Sequence, residues 1–361
     1  MTSKTAAVLL CALLAACGGT PPFGGDATDP AGSGGGVTTD ENGNPILREG
    51  IPPGTASPSP SSRIFRLEPR SEEEGKSGNG FVASVSYDGD TDSFTVDGLA
   101  FDGSNVYQRG DLVKSFGDYA VYEADAQYPD SINGAPINQF RHRAIYGVSR
   151  NSNAAGVPNT QFAIVRTGAY VDYGFGGFIY QRENSVTLPS GGQARFEGRA
   201  AGMRDFNGRG GLEYSTADLA IDIDFDDFNS TGTARGDAVR GVLSNRRVFD
   251  LQGNDITMDV YGRINAKNTA SLTSIPDARF TIAPGVLDNN GEILGTLSST
   301  FVDDAGTVQQ YEEGNYYAIV SGNGPNEIVG VLVLENSAEY DNATVRDTSG
   351  FIVYRDPAAT P

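Results

Sequence analysis

The chain has 361 residues, with 26 basic and 46 acidic side chains, and a formal charge of -20. A surface this acidic excludes nucleic acid as an expected partner, because phosphate contacts require a basic one. One histidine and two cysteines leave no means of building a two-histidine metal site within one chain, and 47 glycines with 16 Tyr, 18 Phe and no Trp suit a fold of many strands and turns.

Residues 1–16 read as a signal peptide. Lys4 supplies the positive n-region, and the apolar run from Ala6 to Ala16 is shorter than the roughly 20 residues of a permanent span. Leu14-Ala-Ala-Cys17 resembles the bacterial lipobox, which implies cleavage between Ala16 and Cys17 and lipid on the Cys17 thiol. Acyl chains contribute about 0.8 kcal/mol per buried methylene, so several together anchor a protein stably. Gly18 follows the cysteine where an inner-membrane signal would have aspartate. The expected location is therefore the cell outer membrane, lipid-anchored and surface-exposed. With Cys11 removed in the signal and Cys17 blocked, no disulfide, thiol catalysis or cysteine metal site is expected.

From Cys17 to Ser62 the chain is rich in Gly, Pro, Ser, Thr and Asp, too polar to bury a core. It reads as a disordered tether with a reach of roughly 35–40 Å. Glu72-Glu-Glu74 then leads into a β region over 63–187. Its strand-like runs are Phe81 to Tyr87, Phe94 and Val96, Tyr119 to Tyr122, Ala144 to Val148, Phe162 to Val165 and Phe175 to Tyr180, each with apolar residues at a strand period or in a short apolar block.

A second β region covers 188–361. Its strand candidates are Ala194 to Ala200, Leu219 to Phe225, Ala238 to Leu243, Ile256 to Gly262, Arg279 to Ala283, Ile293 to Phe301, Tyr316 to Val320, Ile328 to Leu334 and Phe351 to Tyr354. Turn formers such as Asp288-Asn-Asn-Gly291 separate them, and no stretch of 12 or more residues carries a helical stripe. Short strands joined by hairpins predict a meander closed into a barrel, which removes exposed edges. In Leu219-Ala-Ile-Asp-Ile-Asp-Phe225 the apolar residues share one face, while Asp218, Asp222, Asp224 and Asp226 share the other. The apolar face is expected inside and the acidic face in water, the reverse of a lipid-facing barrel.

Three segments of this half resemble the barrel domain of the transferrin-binding protein B family of surface lipoproteins. They are Leu188-Pro-Ser-Gly-Gly-Gln-Ala-Arg-Phe-Glu-Gly198, Ala217 to Phe225, and Gly314-Asn-Tyr-Tyr317 followed by Asn326-Glu-Ile-Val-Gly-Val331. The resemblance implies an all-β fold, a soluble eight-stranded antiparallel β-barrel beside a smaller N-terminal handle-like sheet. It also implies ligand binding of the iron, haem or host-protein capture type, with an outer-membrane export or transporter partner. The segment between Tyr317 and Glu327 and the polar stretch Asn336 to Ser349 depart from the family pattern, and one lobe stands here against two, which argues against transferrin itself. The alternative reading is a structural envelope lipoprotein whose barrel is a protein-docking surface.

No catalytic residue, metal ligand or cofactor site is singled out. His142, between Arg141 and Arg143, reads as a surface histidine, although any Ser-His-Asp triad would have to use it. Asp88-Gly-Asp-Thr-Asp92 alternates oxygen ligands as calcium loops do, but has Ser93 and Leu99 where an EF-hand needs Gly and Glu. It reads as an acidic turn. Tyr316-Tyr317 reads as core or rim aromatics in preference to iron or haem ligands. Asp205 to Gly211 reads as a hairpin turn, since it lacks the Gly-Lys-Ser/Thr end of a phosphate loop. Carboxylates are plentiful but no spacing selects a glycosidase-type pair, so a binding protein is expected over an enzyme.

Overall fold

In the computed structural model the described residues are 37–39, 45–47, 50–70, 79–99, 106–130, 132–228, 239–282 and 285–356. Ala16, Cys17 and the signal segment lie outside them. The first sheet has nine strands, the short Ser115–Phe116 beside the fifth of the main path and eight along that path: β1 Ile64–Leu67, β2 Ser84–Asp88, β3 Ser93–Asp97, β4 Val106–Arg109, β5 Tyr119–Ala124, β6 Arg143–Val148, β7 Thr160–Arg166 and β8 Gly177–Arg182. They lie in the order β1-β8-β7-β6-β5-β4-β3-β2, all antiparallel. Bridges near Gly80 and Gly176 curl the sheet toward closure. This is the handle.

The barrel follows as β9 Gln193–Asn207, β10 Glu213–Asp224, β11 Val239–Phe249, β12 Ala278–Phe280, β13 Glu292–Val302, β14 Val308–Asn323, β15 Glu327–Asn336 and β16 Thr344–Arg355. Neighbours pair antiparallel, β9 also pairs with β16, and β14 with β15 closes the ring of eight. The all-β architecture implied by the sequence is thus the architecture observed. Leu219, Ile221, Ile223 and Phe225 join the buried interior. Outside, Asp222 pairs with Arg195 and Arg240, and Asp218 with Arg199. Inside, the Phe280 and Tyr316 rings stack at 3.8 Å. Gly241 and Gly295 make room for that stack, since a Cβ on either would overlap a ring.

The interior is split along its length. One end is apolar, around Phe196, Leu297 and Phe351. The other holds buried charges in pairs: Arg246 to Glu312 at 2.5 Å, and Arg204 to Glu213 at 2.5 Å and to Glu339. Removing such ions from water is tolerated only because each has a partner. Over this end lies a helix, Thr257–Asn268, which packs Val260 and Ile264 inward and pairs Arg263 with Glu339 at 3.1 Å. The strand expected at Ile256 to Gly262 is therefore incorrect. Ile256, Met258 and Val260 alternate, but it is the i, i+4 pair Val260 and Ile264 that is buried, while Met258 is 63 % exposed.

The handle packs on the outer wall of the barrel through Ile145, Phe162, Ile164 and Phe178, against Met203, Ile319, Val329 and Ile352. Both faces of its central strands are consequently buried, which explains their unbroken apolar runs. Phe162 sits in a slot between Gly147 of the handle and Gly350 of the barrel, where a Cβ on either glycine would overlap its ring. Polar staples cross the same interface. Arg66 donates to Glu292 at 2.7 and 2.9 Å, Arg166 donates to the Thr348 hydroxyl at 3.0 Å, and Glu327 accepts from Ser149, Asn151 and Thr160 at 2.7, 2.5 and 3.0 Å.

Composition assigned 50–62 to the tether, but these residues are already packed. Ile51 is 6 % exposed, Leu67 and Thr55 exchange backbone bonds with Pro53 and Phe65, and Arg182 clasps Ser59 and Ser62. Among the described residues no helix is long and apolar enough to cross a membrane, a finding that does not bear on strands.

Candidate binding face

At the end where β6 begins and β7 finishes, the loops gather aromatic rings. The loop 167–176 links β7 to β8 and folds back on itself, because Gly174 lets the Tyr170 ring lie against its backbone. Phe140 meets Tyr170 with ring centroids 4.7 Å apart, Tyr170 meets Phe175 at 5.4 Å, and Phe175 meets Phe81 at 4.7 Å, all edge-to-face. The Arg70 guanidinium lies 5.5 Å from the Phe81 centroid. Phe140 is 48 % exposed, Phe175 45 % and Val171 64 %. Isolated exposed apolar residues are ordinary on a surface, whereas a contiguous group marks a contact site.

The barrel extends the face. Its turn 208–211 docks on the handle loop through backbone bonds from Gly208 to Val171 and from Gly211 to Gly168, 2.8 and 2.9 Å. There Arg209 lies between the Phe206 and Tyr340 rings, 4.7 and 4.6 Å from their centroids. Aromatic rings with interleaved arginines are the residue types that carry most binding energy in protein interfaces, and cation–π contact holds the guanidinium ready without neutralising it.

His142 lies beneath this face. Expected on the surface, it is 2 % exposed. Its Nδ1–H donates to the Phe140 carbonyl at 3.1 Å, so it supports the aromatic loops and is not paired as a triad base. Burial pulls its pKa from 6.5 down to about 4. The folded state therefore stays neutral where the unfolded chain takes a proton. Stability from this residue is complete above pH 6.5 and lost as pH falls to about 4, a total of about 3 kcal/mol. Replacing His142→Asn is expected to flatten the urea midpoint between pH 7 and pH 4.5 by about one proton's worth of slope. An unchanged slope would show that the histidine titrates normally.

The other residues singled out by sequence fall elsewhere. In Asp88 to Asp92, Asp88 accepts the backbone N–H of Asp90 at 2.9 Å. Asp92 accepts Arg109 at 2.7 and 3.0 Å and the Tyr122 hydroxyl at 2.9 Å. The Arg109 hydrogen bonds hold the Asp92 carboxyl below its usual range, so the loop's best ligand is committed to a cation of the protein itself. Among the described residues no group of three or more His, Cys, Asp and Glu is placed to hold a metal. Tyr316 is buried in the barrel stack, and Tyr317 leans on Phe178 at the handle, 6.0 Å between centroids. Asp205 lies near the C-terminal end of β9 and accepts Arg346 at 2.5 and 3.0 Å, with the turn itself at 208–211.

Sequence reading missed Phe140, Tyr170 and Phe175 as a group. It placed Phe175 in a strand that begins two residues later, at Gly177. The usable signal was aromatic density in a glycine-rich loop, three rings among Tyr170, Tyr173 and Phe175 with Gly168, Gly174 and Gly176 around them.

No family model matches the chain, and no curated protein matches it in sequence. Solved structures do match, three of them as follows. A double-mutant transferrin binding protein B from Haemophilus parasuis is 12% identical, over 86% of this chain and 62% of that one, with a TM-score of 0.33. The intact two-lobed Ap-TbpB is 12% identical, over 85% and 62%, with a TM-score of 0.32. HpuA from Kingella denitrificans, solved in complex with human haemoglobin, is 12% identical, over 83% and 90%, with a TM-score of 0.30. The chain thus spans 62% of the length of the first two. Values this low assign none of those proteins' ligands to it.

Proposed function

We propose that this protein is a lipid-anchored binding protein of the bacterial outer membrane that captures a protein ligand on the aromatic–arginine face. The observation that carries the proposal is the chain of rings Phe81, Phe175, Tyr170 and Phe140, with Phe140 and Phe175 left nearly half-exposed on loops of a rigid scaffold. Holding such rings in water is unfavourable unless a partner covers them. Rigid loops also lower the ordering cost of binding. The buried staples between handle and barrel supply that rigidity, and they let one ligand rest on both handle and barrel.

Lipid on Cys17 would make the protein a membrane-tethered capture device, with residues up to 49 as its leash. Mass spectrometry of envelope-extracted protein is expected to show cleavage after Ala16 and acyl mass on Cys17. An unmodified cysteine would remove the anchor from the proposal. Candidate ligands are haem, iron-carrying proteins and other host proteins, offered in turn to immobilised protein. Against whichever protein binds, the double substitution Phe140→Ala and Phe175→Ala is expected to weaken affinity by about 30-fold or more, as loss of two hot-spot rings does. Full affinity in that variant would move the site elsewhere. A docking role within the envelope would use the same face, and capture of an envelope protein in place of a host protein is the result that distinguishes it.

A further inference from the structure

Beside the aromatic face, between the handle edge and the barrel wall, runs a groove of about 1020 Å³. We propose that this groove is a second site, for a neutral oligosaccharide of two or three sugar units. Its floor is the outward face of β13 and β14. Thr296 stands opposite Asn315, and Ser298 opposite Glu313. Thr281 lies alongside, its backbone N–H donating to the Thr296 carbonyl at 2.8 Å. None of the side chains of Thr281, Thr296, Ser298 or Asn315 makes a hydrogen bond among the described residues. They form one patch of uncommitted hydroxyl and amide groups.

At the handle end the patch meets two rings. Tyr317 is held against Phe178 at 6.0 Å, and burial pushes its hydroxyl up to about 12, so it remains a neutral donor. Tyr173 is fixed by the Arg346 guanidinium, 4.1 Å from its centroid.

A sugar ring offers what this arrangement lacks. Its C–H face covers an aromatic ring, and its neighbouring hydroxyls both donate and accept, as amides and hydroxyls need. The volume lies at the upper end of small-molecule sites, more than a monosaccharide requires. Charge selects the sugar class. Glu313 and Glu335 face each other across β14 and β15 on the same wall. They would repel a sialic acid or a phosphorylated sugar, while their oxygens accept hydroxyl protons from a neutral one.

The test is calorimetric titration and saturation-transfer NMR of the purified protein with cellotriose, maltotriose, chitotriose and a β-linked galactotriose. Each is taken to about 10 mM, tenfold above a Kd of about 1 mM. At least one is expected to bind. Tyr317→Ala should then weaken binding about tenfold, and Asn315→Ala, an exposed change that spares the fold, about threefold. Phe175→Ala, on the protein-capture face, should leave sugar binding unaltered, so this proposal and the capture proposal fail separately. Absence of binding by all four sugars overturns it, as does binding that survives Tyr317→Ala and Asn315→Ala together.

Discussion

Phe162→Ala is expected to cost about 3–5 kcal/mol of unfolding free energy, the range for emptying a buried aromatic site. Phe162 is fully buried, meets Tyr119 edge-to-face at 4.7 Å, and fills the slot that Gly147 and Gly350 leave between handle and barrel. The converse substitution, Gly350→Ala, overfills the same slot and should cost about 1–3 kcal/mol. The two are not independent. With the ring gone the added methyl has space, so Gly350→Ala in the Phe162→Ala background should cost close to nothing. Urea unfolding of the four proteins gives the coupling directly. Simple addition of the two costs would mean that the ring and the glycine do not share a slot.

Arg182→Met should be comparably damaging, for a different reason. The Arg182 guanidinium is fully buried and forms no ion pair among the described residues. It donates to the carbonyls of Asn290 and Val320 at 2.8 and 2.9 Å, and of Ser59 and Ser62 at 3.1 and 3.0 Å. Burial pulls its pKa down to about 10, with the charges of Glu292 and Asp288 opposing the shift. Methionine keeps the stem and removes every donor. Each carbonyl left dry costs about 1–3 kcal/mol, and a total of at least about 3 kcal/mol is expected. Arg182→Lys should recover only part, since one ammonium does not span four acceptors lying on both sides. A methionine variant within about 1 kcal/mol of the parent would show that water or local adjustment serves these carbonyls equally well.

Much of the barrel was legible in the sequence because its strands obey a local rule. In Asp218 to Phe225 the alternation of Asp with Ile and Leu states which side is wet, and the ion pairs to Arg195 and Arg240 lie on that side. The helix Thr257–Asn268 was not legible. It buries only Val260 and Ile264, so its apolar stripe is two residues wide, and Gly262 interrupts it. Two weak signals were present: Asp255, which accepts the Thr257 N–H at 2.9 Å, and the left-handed Thr269 that closes the helix.

Buried charge was the larger obstacle. Asn336 to Ser349 reads as a polar stretch before the last strand, yet Arg346, Asp347, Thr348 and Ser349 lie buried within β16. Each is satisfied by a residue far away in sequence, Arg346 by Asp205 and Asp347 by Ser215. The same holds for Arg66 and Glu292, whose partnership no local pattern announces. The binding face was hidden for a related reason, since its rings come from three separate loops and become a group only once the handle has curled.

The packed entry segment also has a mechanical meaning. Tethered as proposed, the protein would feel tension whenever a bound ligand is dragged away. A pull applied at Gly50 reaches first the bonds of Pro53 and Thr55 to the flank of β1, then the clasp of Arg182 on Ser59 and Ser62. These contacts would take the load through β1 and β8, before the inner strands of either sheet. On the proposed tether the segment would lengthen under force as a shock absorber, ahead of the aromatic loops.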